Sequence, residues 1–257
     1  MAKTFYYDSV DLLDATLNDG TYGNPSGGVY TFSDSASIAN EERAIDQSIS
    51  TAMTSFAVND ALQFNLGSAK AVDFIGVNFT AVDTHNLELW YDTSSSGALE
   101  AKSVAMTADF PIGWTFSEFT SAAKQYWTLV AINGTITGLS EVIIGSKLAF
   151  EVNPDVGIGE QSIFGTDINT SIGGNEYAIK RHEPKSTISM NFSNISETFK
   201  NSLQTFESHV QNYKKFIYSE DGTTGDFHYV RLDAPIQFTE VAYQRFSASL
   251  SLRKQLS

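Results

Sequence analysis

Thr187-Ile-Ser-Met-Asn-Phe192 alternates strictly, with Ile188, Met190 and Phe192 on one face and Thr187, Ser189 and Asn191 on the other. A period of two is a strand with one buried side. The period then changes. Phe199, Leu203, Phe206, Val210 and Tyr213 recur at steps of four, three, four and three, which is a single helical stripe. Past Lys214 the period of two returns in residues 216–218, and again in Phe246, Ala248, Leu250 and Leu252. Strand, helix, then strands predicts an α+β unit built around one helix. Asn194-Ile-Ser-Glu197 has the layout of a capping box, so the spacing predicts a helix over 195–213. Burying its stripe is worth on the order of 10 kcal/mol before entropy, enough to fix a helix against a sheet.

Upstream the signals are those of short strands. Leu62, Phe64 and Leu66 alternate with Gln63 and Asn65, residues 72–79 are nearly all apolar, and Leu87-Glu-Leu-Trp-Tyr91 alternates again. Residues 126–132 and 142–144 are β-branched and aromatic. Turns are expected at Asn18-Asp-Gly20, Gly23-Asn-Pro25, Gly27-Gly28, Asp83-Thr-His85, Ser94-Ser-Ser-Gly97 and Asn133-Gly134. This spacing of strands and turns predicts a sandwich or barrel. Residues 41–51 carry a sparse helical pattern. Asn153-Pro-Asp155 marks the boundary, and the glycines from Gly157 to Gly174 predict an extended, irregular connection. The expectation is two domains, 1–152 and 153–257, mainly β.

Charge divides in the same way. The net charge is −14; residues 1–150 hold 17 acidic and 6 basic side chains, against 13 and 10 in residues 151–257. So acidic a chain repels phosphate backbones, which argues against a nucleic-acid partner. The more nearly neutral half suits packing against protein. With no cysteine, disulfide scaffolds, thiolate metal sites and cysteine nucleophiles are excluded. The N-terminus carries no apolar leader and no run is long enough to span a bilayer, so synthesis in a cytoplasm without the general export route is expected.

Reactive constellations are sparse. His85, His182, His209 and His228 are isolated and lack metal-ligand spacing. Gly157-Ile-Gly159 opens like a dinucleotide loop but has no third glycine. Asp14 to Gly20 fails calcium-loop spacing. Neither a catalytic residue, a metal ligand nor a cofactor is expected. Lys180-Arg-His-Glu-Pro-Lys185 is the one basic cluster, read as a charged strand edge or an inter-subunit salt-bridge site. Trp90 and Trp127 fall inside strand patterns and read as core. Trp114, expected in the loop from Asp109, is the candidate for an exposed glycan contact.

Val72-Asp-Phe-Ile-Gly76, Leu87-Glu-Leu-Trp-Tyr91, Tyr126-Trp-Thr-Leu129 and Glu141-Val-Ile-Ile-Gly145 together resemble the discoidin, or galactose-binding-like, β-sandwich. Phe150-Glu-Val-Asn-Pro154, Gly173-Gly-Asn-Glu-Tyr177, Lys180-Arg181, Tyr229-Val-Arg-Leu-Asp-Ala-Pro235 and the ending from Tyr243 to Leu252 are similar to the tail-tube-like half of bacteriophage distal tail and baseplate proteins. The resemblance implies a non-enzymatic virion tail protein. Its second domain, with one main helix packed on antiparallel strands, would assemble with copies of itself into a ring beside neighbouring tail proteins. Its sandwich would project outward. Lys180, Arg181, Arg231 and Arg245 are then the candidate assembly contacts. The alternative is a carbohydrate-binding adhesion module acting on host surface glycans through Trp114.

Overall fold

The computed structural model describes residues 3–18, 21–23, 31–33, 40–53, 56–58, 60–93, 97–98, 101–106, 110, 112–155, 159–220 and 227–255. Four of the expected turns, at 18–20, 23–25, 27–28 and 94–97, lie wholly or partly outside these residues. The chain is mainly β, with one α-helix among the described residues. It divides into two compact units: Tyr6–Lys147, and Met1–Phe5 together with Leu148–Ser257. The expected division at 152/153 therefore moves to 147/148, and the first five residues join the second unit.

Strands β1 (Thr4–Tyr7), β2 (Thr16–Asn18), β3 (Thr21–Gly23), β4 (Thr31–Ser33), β5 (Ala61–Phe79), β6 (Leu87–Asp92), β7 (Gly97–Ala98), β8 (Ala101–Met106), β9 (Gly113–Ala131) and β10 (Leu139–Ala149) lead through the first unit. The division falls inside β1 and near the end of β10. Neighbouring strands run in the order β10-β5-β9-β6-β8, with β2 also on β5; β3 lies between β4 and β7 in a separate small sheet. The two apolar runs expected at 62–66 and 72–79 are one 19-residue strand, β5. It pairs with β9 throughout, with register shifts between Asn65 and Lys70 and between Val72 and Phe74.

Those irregularities explain the side-chain pattern. Leu62, Phe64, Leu66 and Val72 keep even spacing, then Ile75, Val77 and Phe79 take over, yet all join one buried cluster. A bulge at 72–74 supplies the odd step that returns the strand to the core-facing phase. At one end β5 pairs with β2 through Asn65, at the other with β10 through Phe79. Both ends feed the cluster that holds Trp127, Leu129, Leu139, Val142 and Ile144. The unit is a β-sandwich whose long strands β5 and β9 contribute to one shared core. Gln63 is fully buried among the apolar residues because its amide donates to the Thr128 hydroxyl at 3.1 Å. Residues 41–51 form only a 3-10 turn, Glu41–Ala44.

The second unit contains β11 (Gly159–Thr170), β12 (Glu176–Ser196), α1 (Glu197–Val210), β13 (Lys215–Ser219), β14 (Phe227–Leu232), β15 (Gln237–Ala242) and β16 (Arg245–Lys254). Strand order is β11-β12-β16-β14-β13, with β15 also on β16. As the alternation requires, Ile188, Met190, Phe192, Ala248, Leu250 and Leu252 are all buried, and Ile188 pairs with Leu252, Met190 with Leu250 and Phe192 with Ala248. The helix buries Phe199, Leu203, Phe206 and Val210. It begins two residues later than expected because β12 keeps its ladder with β16 as far as Ser196, opposite Arg245. Ser196, not Asn194, is the N-cap, its hydroxyl accepting from the Phe199 amide at 3.1 Å. Tyr213 lies beyond the helix and is exposed.

Phe5 completes this core. Its ring lies 4.7 Å from Phe150, 4.8 Å from Phe206 and 5.1 Å from Phe216. Residues 216–218 are buried on both faces, so the expected alternation is absent there.

Candidate functional site

Of the segment 157–177, expected as an irregular connection, residues 157–158 lie outside the described residues and 159–177 hold a long ribbon instead. β11 pairs with β12 from Gly159 opposite Ser189 to Thr170 opposite Glu176, and a turn over 171–175 joins them. β12 reaches its other neighbour, β16, only from Thr187 onward. Among the described residues, then, 162–186 form a two-stranded arm with no third strand. At about 3.4 Å per residue it extends roughly 30 Å. Almost every residue is exposed, and the arm carries Ile163, Phe164, Ile168, Ile172, Tyr177 and Ile179 in solvent. Its tip is ordered by hydrogen bonds: the Ser171 amide donates to the Asn175 carbonyl at 2.8 Å, and the Gly174 amide to the Ser171 carbonyl at 2.9 Å.

The arm carries three acidic and three basic side chains, four of which pair within it. Arg181 Nε donates to Asp167 Oδ2 at 2.6 Å, and Lys180 pairs with Glu183. At the arm's base Lys254 Nζ donates to Glu160 at 2.7 Å, and this ammonium holds the Glu160 carboxyl below its ordinary value. These pairs are too exposed to add much stability. They leave the arm without a strong net field.

The sheet has a second open side. β16 takes β12 along one edge and β15, then β14, along the other. β11 and β15 therefore bound the run β11-β12-β16-β15, and among the described residues neither pairs on its outer side. β15 is exposed along nearly its whole length, with Val241 in solvent and Tyr243 just beyond it.

The four basic candidates are not gathered at one place. Lys180 and Arg181 are neighbours on the arm. Arg245 is exposed at the start of β16, next to β15. Arg231 serves the unit itself: its guanidinium donates to the Asn212 carbonyl at 2.9 Å and ties the chain after α1 to β14. Trp114 is in β9 rather than in a loop, because β9 begins at Gly113. It is half-buried and stacks on Phe116 at 5.7 Å, which stacks on Tyr6 at 5.4 Å. Beside this aromatic row Tyr6 donates to Glu118 at 2.8 Å, and Glu118 pairs with Lys147. Trp90 and Trp127 are buried.

Sequence reasoning missed the arm and the β15 edge. A strand exposed on both faces shows no alternation to read, and the glycines of 157–174 suggested irregularity. The surviving signal was the run of Ile and Thr between them. His85 is held by Asp83, its Nδ1 lying 2.9 Å from Oδ1, in a turn where Asp83 also accepts from the Thr137 amide at 2.8 Å. That arrangement closes two loops. Among the described residues no group of three or more His, Cys, Asp or Glu side chains is placed to hold a metal, and no helix is long and apolar enough to cross a membrane.

No family model and no curated protein matches the chain. Solved structures with partial likeness include CpGH89 of Clostridium perfringens, in complex with its substrate GlcNAc-alpha-1,4-galactose, at 11% identity and a TM-score of 0.38 over 55% of this chain; the match spans 15% of that protein. Chitosan-binding module 1 of the chitosanase/glucanase from Paenibacillus sp. IK-5 gives 18% identity and 0.36 over 55% of this chain and 100% of the module. Truncated AlyQ, with CBM32 and alginate lyase domains, gives 14% and 0.33 over 84% of this chain and 57% of its own. At scores below 0.5 these likenesses transfer neither ligand nor activity to this chain.

Proposed function

We propose that the protein is a structural component of a virion tail, of the distal tail or baseplate kind, which assembles with copies of itself through its second unit and carries its β-sandwich as a projecting module. The observation behind this reading is the pair of open strand edges, β11 and β15, on opposite sides of one antiparallel run. An exposed edge invites another strand. Because the two edges differ, pairing β11 of one copy with β15 of the next is heterologous, and a heterologous contact closes into a ring when its rotation allows. The similarity of this half to tail-tube-like sequences supports the same reading. Light scattering of the full chain should give a multimer, and negative-stain images should show rings. A monomer at every concentration, together with absence from purified virions, removes the proposal.

A second reading concerns the sandwich. The aromatic row ending at Trp114, flanked by Glu118 and Lys147, offers stacking and hydrogen-bonding groups of the sort a sugar uses. Trp114→Ala should abolish glycan-array binding while leaving the multimer intact, and an array silent for the unaltered protein disposes of this reading.

A further inference from the structure

The second unit carries both a projecting apolar knob and a cleft of fitting size. Ile172 stands fully exposed at the arm tip, between Ser171 and the small pair Gly173-Gly174, so nothing bulky flanks it. The cleft opens where α1 ends, beside the turn from β14 to β15. It has a volume of about 480 Å3, with Leu232, Ala234 and Pro235 on one side and Gln204, Glu207 and Ser208 of the helix on the other. Glu207 keeps that turn in place by accepting from the Ile236 amide at 2.8 Å.

We propose that the arm tip of one copy seats in this cleft of the next copy, with Ile172 as the knob. The inference rests on the assembly reading above and names its second contact. Three features select a copy of this chain as the occupant. A two-stranded ribbon is marginally stable alone in water, so an arm of this length with six exposed apolar side chains calls for a protein surface. The arm carries three acidic and three basic side chains, four of them joined as Arg181–Asp167 and Lys180–Glu183, so its charges balance and leave little to attract an anionic polymer or surface. The cleft meanwhile offers an apolar wall, the Glu207 carboxylate already engaged by the Ile236 amide, and side-chain amides and a hydroxyl that suit an Ile followed by two glycines with exposed backbone. Knob and hole lie at different places on one chain, so the contact is heterologous like the edge pairing and works in the same direction round a ring.

The chain's lack of cysteine gives a clean test. Ile172 and Ser208 are both exposed, so Ile172→Cys and Ser208→Cys in one full-length chain should leave folding unchanged. On oxidation that double variant should run as a ladder of covalent multimers on a non-reducing gel, while each single variant stays monomeric. A second pair, Ile168→Cys with Thr239→Cys, reports on the β11–β15 edge contact in the antiparallel register that brings Ile172 to the cleft. If the edge pair forms a ladder and the tip pair does not, the knob-in-cleft contact is wrong and the assembly reading stands. If neither cross-links and light scattering shows monomer, both fail. Noncovalently, Ile172→Asp and Ala234→Trp should each raise the concentration for half-assembly by roughly tenfold or more. Mixed one to one, the two variants should regain one intact contact per pair. Unchanged assembly in both variants also overturns the proposal.

Discussion

Gly145 is packed so tightly that a methyl carbon added there would lie 2.2 Å from the Tyr7 carbonyl oxygen, whereas one at Gly159 would meet nothing within 4 Å. Gly145→Ala should therefore cost about 1–3 kcal/mol in urea unfolding, since backbone has to move, while Gly159→Ala should fall within error. Asp73 gives a pH signature. Burial raises its carboxyl above the ordinary value, although the Lys147 amide donates to it at 3.0 Å. The folded state thus holds this proton more tightly than the unfolded one. The resulting stability is full below the unfolded-state value, and is lost as pH rises through the folded-state value. Asp73→Asn keeps an acceptor for the amide and removes the burial cost of the charge. It should be at least as stable as the unaltered protein at neutral pH, with the advantage vanishing in acid; a variant less stable at pH 7 but matched at pH 4 contradicts this. Single residues also explain where the sequence misled. Trp114 follows a Pro-Ile-Gly run that reads as loop, and only the pairing of Gly113 with Phe79 reveals a strand start.

Among the elements, α1 was the most legible, because its stripe is buried on one side only and the period of 3.6 survives. Its start was misplaced, since Asn194 and Ser196 both suit an N-cap and only the ladder to Arg245 decides between them. Ser196→Ala should cost about 1 kcal/mol through the lost cap, measurable by chemical denaturation; Asn194→Ala should cost less. β5 reads as two runs because Gly67-Ser-Ala-Lys70 interrupts the apolar pattern, and Gly67 adopts a positive φ of 72° there. The pairing with β9 resumes at Lys70 and carries the strand on. The arm was invisible for the opposite reason. Alternation records burial on one side, and β11 is buried on neither.

Across the whole molecule, the mainly β character and the presence of two units followed from composition and spacing, but the dividing line did not. Period and turn signals are local, and nothing local in Lys3 to Tyr7 says that Phe5 belongs beside residues 150, 206 and 216. Phe5→Ala should cost roughly 3–5 kcal/mol, and the loss should fall on the second unit. Limited proteolysis followed by mass spectrometry should then show cleavage within 148–257 ahead of the sandwich. Cleavage confined to the sandwich would place Phe5 in the wrong core.

The position of Phe5 also sets a timetable for synthesis. This side chain is made well before three of its ring partners, which lie at positions 206, 216 and 218. At roughly 5–20 residues per second, Phe5 waits about ten seconds or longer for them. Throughout that interval a phenylalanine followed by two tyrosines has no finished pocket to enter, and it is open to capture by a chaperone or by a neighbouring polysome. Maturation of the second unit is thereby tied to synthesis of residues 206–218.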